Sequence, residues 1–93
     1  MIDKNENLVE WALLSYELEE ARDHIEELLQ EMENDDFNEI DYAIILGHIQ
    51  AHLNRAWHSR NLKRSMTDAE FELFSQYPTD LVPNGTGLEY LKK

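Results

Sequence analysis

Cysteine is absent from this 93-residue chain. That excludes a disulfide framework, a thiolate zinc site and cysteine catalysis. Glycine occurs three times and proline twice. Two of the glycines, Gly85 and Gly87, sit in a short tail with no helix after them, so no phosphate-cradling loop is present. Bases are scarce: 8 Lys and Arg stand against 20 Asp and Glu, a formal net charge of −12. Such a chain repels nucleic acid and anionic lipid at long range. Long apolar runs are missing too. The longest, Tyr42-Ala43-Ile44-Ile45-Leu46, falls far short of a membrane span. The opening Met1-Ile2-Asp3-Lys4-Asn5-Glu6 has neither a basic nor an apolar leader region, so a cytoplasmic location is expected. Ser15, Ser59, Ser65 and Ser75 lie in no nucleophile-elbow context, and no catalytic constellation is expected.

What is present suffices for one folded domain over residues 1–93. Hydrophobic residues make up 42% of the chain and aromatics 10%, enough apolar material for a core. The pattern is helical throughout. A first helix is expected over about residues 8–33, with Trp11, Leu14, Leu18, Ala21, Ile25, Leu28 and Met32 at alternating steps of three and four. Asn7 is a candidate N-cap, with Asp3 a competing start. Asn34-Asp35-Asp36 breaks the pattern, and Asp36 can cap the next helix with Glu39 as its partner. That second helix is expected over about residues 37–63.

The second helix is apolar on two sides. Tyr42, Ile45, Leu46, Ile49, Leu53, Ala56 and Trp57 share one face at about 100° per residue. Phe37, Ile40, Ile44, Gly47, Ala51 and Leu62 form a second stripe, read as the face that docks the tail or a second copy of the chain. The third helix has the sharpest start. Thr67-Asp68-Ala69-Glu70 is a capping box, and Met66 and Phe71 stand where a hydrophobic staple forms. Pro78 should end this helix at Tyr77. The tail, residues 78–93, carries the loop signal Pro83-Asn84-Gly85-Thr86-Gly87, flanked by Leu81, Val82, Leu88, Tyr90 and Leu91.

The expected fold is therefore all-α: a long antiparallel helical hairpin, a short third helix and a docked C-terminal tail. A hairpin roughly 40 Å long, at about 1.5 Å per residue, has little interior. Two copies pairing into a four-helix bundle would bury the remainder.

Three constellations bear on function. His48 and His52 are four apart on the second helix, where imidazoles one turn apart can converge on a divalent metal, with Asp41 as third ligand. The zinc-protease pattern needs Glu after the first His, and Ile49 stands there. His24, with Glu20 four before and Glu27 three after, reads as a solvated cluster. Glu17-x-x-Glu20 and Glu33-x-x-Asp36 resemble magnesium-holding carboxylate pairs only in spacing, because the second pair falls at a helix end.

Charge is unevenly placed. Residues 1–41 hold 15 acids and two bases, whereas residues 42–66 hold four bases and no acid. Arg55, Arg60, Lys63 and Arg64 are expected to pair internally with Glu6, Glu10 and Glu17 rather than to read nucleic acid. Glu17, Glu20, Asp23, Glu27 and Glu31 form an acidic strip suited to a basic protein partner. The expected role is a protein–protein interaction module working as a homodimer and needing no cofactor. The alternatives are a metal-binding protein using His48 and His52, and an acidic inhibitor or immunity-like protein.

Overall fold

The structure is a computed structural model and describes residues 1–85 and 87–91. Thr86, Lys92, Lys93 and the side chains of Leu88 and Tyr90 lie outside the description, so any part they take in tail docking does too. The described residues form three α-helices and no strand: α1 (Leu8–Glu31), α2 (Glu39–His58) and α3 (Asp68–Phe74). Two 3₁₀ turns follow in the tail, Pro83–Gly85 and Leu88–Leu91. The two long helices pack against each other, and α3 packs against α2.

Each helix end has an identifiable cause, near or far along the chain. At Asn7 the backbone turns into α1, while Asp3 caps the preceding turn by accepting from the N–H groups of Asn5 and Glu6. The chain leaves α1 at Met32 and reverses through Asn34-Asp35-Asp36. The N-cap of α2 is Asn38 rather than Asp36: its Oδ1 accepts from the backbone N–H of Asp41 at 3.0 Å. Helix α2 stops at His58, five residues before the expected end, as the chain turns at Ser59. The Arg60 carbonyl, which a continuing helix would use internally, accepts the N–H of Ile2 at 2.7 Å. The chain start is thereby tied to the end of α2.

The capping box of α3 forms in full. Glu70 N–H donates to Thr67 Oγ1 and Thr67 N–H donates to Glu70 Oε1. Arg64 clamps the same carboxylate with two bonds, 2.6 and 2.9 Å. Helix α3 ends at Phe74, three residues short of expectation, because its exit is fastened to α2. The Ser75 carbonyl accepts from Asn54 Nδ2 at 2.8 Å, and the Gln76 carbonyl accepts from His58 Nε2 at 3.1 Å. Pro78 then lies fully buried.

The core is small. Ile2, Leu14 and Ala56 form one buried cluster with Trp11 against it. Ala21, Leu28 and Ile49 form another, flanked by Phe37 and Ile45. Only one row of the α1 seam is buried, Leu14, Ala21 and Leu28; Leu18, Ile25 and Met32 remain exposed. One facing helix covers about half of such a stripe, so the other half stays open. The chain exposes 7057 Å², against about 5,600 Å² expected of a compact monomer of this mass. Its radius of gyration is 15.4 Å and its extents are 49 × 30 × 25 Å, whereas a compact domain of this length has a radius near 12 Å.

Candidate functional site

The two flanks of the α1–α2 seam differ in kind. In an antiparallel pair, one flank of α1 lies along one flank of α2. On one side these flanks are polar, and on the other apolar.

The polar flank is built from Glu17, Glu20 and His24 of α1 and His52 and Arg55 of α2. Glu17 and Arg55 are each only 6% exposed. Arg55 Nε donates to Glu17 Oε2 at 2.6 Å, and Nη1 donates to Ser75 Oγ at 2.8 Å. The Arg55 guanidinium also lies over the Phe71 ring, 4.2 Å from its centroid. One arginine therefore joins all three helices. Among the described residues no buried side-chain polar atom lacks a hydrogen-bond partner, the condition under which a buried ion pair is tolerated.

His52 completes this network. Its Nδ1 lies 3.0 Å from Arg55 Nη2 and 3.4 Å from Glu17 Oε1. The first is a donor and the second an acceptor, so the contact made depends on whether Nδ1 carries the ring proton. His24 crosses from α1 onto the same spot. Its ring is stacked on His52 with centroids 5.3 Å apart and is tilted to His48 at 5.6 Å. His24 also faces Glu27 at 3.5 Å and Glu20 at 3.9 Å, the cluster expected from its spacing. Tyr16 stands beside Glu20, whose carboxylate raises the phenol above its ordinary value, first by a hydrogen bond and then by charge.

Of the expected metal trio, His52 alone joins a converging group of donors among the described residues. Glu20, His24 and His52 are the residues whose donor atoms converge, all within 4.8 Å of one another. His48 stays exposed beside His24, and Asp41 lies at the hairpin turn in a hollow with Glu31, Asn34, Asp36 and Phe37. The expected acidic strip is also divided. Glu17 is withdrawn from solvent by Arg55, while Asp23, Glu27 and Glu31 remain exposed. The sequence pattern places Glu17 on the outside because it lies off the apolar seam. Its i-to-i+7 relation to His24, opposite His52 and Arg55 of α2, is the signal for a polar flank.

The apolar flank is open. A groove of about 470 Å³ runs between the helices, lined among others by Leu18, Leu53, Trp57, Tyr77 and Leu81. Seven-residue steps continue it along α1 to Ile25 and Met32, with Leu29 beside them. On α2 it continues from Leu53 to Leu46 and Tyr42. All of the residues in this continuation are 39–60% exposed. Among the described residues the tail meets the groove at one end: Trp57 Nε1 donates to Asp80 Oδ1 at 2.9 Å, and Arg60 faces Asp80 at 3.6 Å. Leu81 thus meets the first face of α2, not the second stripe expected to dock it. Of that second stripe, Phe37 packs into the core and Leu62 lines a small hollow with Leu13 and Leu14. Ile40 and Ile44 are exposed, Gly47 has nothing within 4 Å of where a Cβ would stand, and Ala51 is half-buried.

No helix among the described residues is long and apolar enough to cross a membrane. No known family model matches the chain, and no curated protein or solved structure is significantly similar to it.

Proposed function

We propose that this chain is a helical interaction module that works as a homodimer, with the open apolar flank of the α1–α2 seam as its pairing face. The observation that carries the reading is the surface excess. The chain exposes 7057 Å², about 1,400 Å² more than a compact monomer of its mass. A standard interface removes about 800 Å² from each partner, so pairing through the groove brings the exposed area toward the monomer norm. Charge favours the same occupant. Residues 1–41 carry 15 acids, and residues 42–66 carry four bases and no acid. A two-fold pairing that lays α1 along α2 of the second copy keeps the two acidic first helices apart, whereas α1 on α1 would oppose like charges. The back of α2 offers a poorer face, since Ile40 and Ile44 are its only large exposed apolar residues.

Light scattering on the purified chain tests this. The expected mass is twice 11.0 kDa. Leu46→Asp should give a folded monomer, because Leu46 is already 41% exposed and its loss opens no core cavity. Ile44→Asp should leave the dimer intact. A monomeric wild type, or a dimer broken by Ile44→Asp and not by Leu46→Asp, overturns the reading. A wild-type monomer whose groove is taken by a basic protein would instead favour the acidic-inhibitor alternative.

A further inference from the structure

We propose a second, independent property: Glu20, His24 and His52 form a site for one borderline divalent transition-metal ion, of which zinc is the type. The site lies on the polar flank, opposite the pairing face, and is built within one chain. Two imidazoles and one carboxylate match a three-ligand zinc site that leaves a fourth position for water or substrate. Hard ions such as magnesium prefer all-oxygen sets, so the two nitrogens select against them.

Three observations carry the assignment beyond spacing. First, the donors come from both long helices: helix packing brings His52 of α2 to the Glu20–His24 pair of α1, so that all three lie within 4.8 Å of one another. Tetrahedral ligands stand about 3.3 Å apart when each lies about 2.0 Å from zinc. Glu20 and His24 are half-buried, and rotation of their side chains is the movement that would have to close the difference. Second, His52 already has an outer partner. Its Nδ1 is engaged by the buried Glu17 and Arg55, so Nε2 is the ring nitrogen left for an ion. With a cation on Nε2 the ring proton sits on Nδ1 and donates to Glu17 Oε1. That is the carboxylate–histidine–metal arrangement which fixes ring orientation and raises ligand basicity. Arg55 then releases its Nη2 contact and keeps its bonds to Glu17 and Ser75. Third, His24 stands over two imidazoles rather than one. His48 lies beside His24 but outside the converging trio.

The experiment is calorimetric titration of the metal-free chain with zinc chloride, alongside the visible spectrum of the cobalt(II) form. One ion per chain is expected, with the intense d–d bands of four-coordinate cobalt, undiminished by excess magnesium. His24→Gln and His52→Ala should each weaken binding by about tenfold or more, and Glu20→Gln by a smaller factor. His48→Ala and Asp41→Ala should leave it unchanged. Because His52→Ala also disturbs the buried network, helicity by circular dichroism is recorded for each variant. If His52→Ala unfolds, His24→Gln, at a half-buried position clear of Arg55, decides between the outcomes. No binding, several weak ions without cobalt bands, or affinity unchanged in His24→Gln overturns the proposal. So does loss of binding on removing Asp41 or His48.

Discussion

Arg55 is where the hairpin and α3 meet, and its environment predicts an asymmetric response to mutation. Replacing it with Met leaves the Glu17 carboxylate, 6% exposed, without its charged partner. Breaking a buried pair from one side costs about 3–5 kcal/mol, a large share of the roughly 5–14 kcal/mol total for a chain this size. Changing both residues, as Glu17→Leu with Arg55→Met, removes the uncompensated charge and should restore most of the loss. Denaturant titration of the two single variants and the double variant measures this. If the double variant is as unstable as the sum of the singles, Glu17 and Arg55 act separately. The pair was partly legible, since Glu17 is one of the acids that charge placement alone offers to Arg55. The stack of His24 on His52 was not. It depends on the register of two antiparallel helices, which no spacing within one helix encodes.

At the scale of the element, α3 is the informative case. It has seven residues and no buried one, too short to form by propensity alone. Its capping box was legible because all its parts lie within four residues. The Arg64 clamp was not, because Arg64 comes from the preceding loop. The clamp depresses the Glu70 carboxyl from its ordinary 4.5 to about 2, chiefly through the Arg64 hydrogen bonds and then the Thr67 backbone N–H. A carboxyl with a folded value below its unfolded value adds stability that is fully present above 4.5 and fades as pH falls toward 2. Glu70→Gln should therefore weaken α3 at neutral pH and flatten its response between about pH 5 and pH 2, relative to wild type. Amide exchange of Phe71 to Ser75 across that range is the check. Equal acid sensitivity in both proteins would remove Glu70 from the account. Helices α2 and α3 end earlier than their patterns suggest for a related reason. Both ends are set by distant partners, Ile2 on Arg60 and Asn54 and His58 on the residues after α3.

At the scale of the whole molecule, the all-helical class and the long hairpin were legible because the seven-residue repeat of α1 runs through three turns of the pattern. What the repeat does not reveal is which half of the stripe an intrachain neighbour covers. Leu14, Ala21 and Leu28 are covered; Leu18, Ile25 and Met32 are not. That open half gives the proposed dimer a distinctive salt response. Two chains of net charge −12 repel each other before contact. The apolar groove supplies attraction that salt does not screen, whereas the repulsion is screened as the Debye length falls from about 30 Å at 0.01 M to about 8 Å at 0.15 M. Self-association should therefore tighten over that range, with the midpoint of a dilution series moving to lower protein concentration. A complex with a basic protein would respond in the opposite sense, because salt screens the attraction that assembles it. Sedimentation at the two ionic strengths separates the readings directly. Association that weakens with salt would mean that charge attraction between the copies, and not the groove, dominates the pairing.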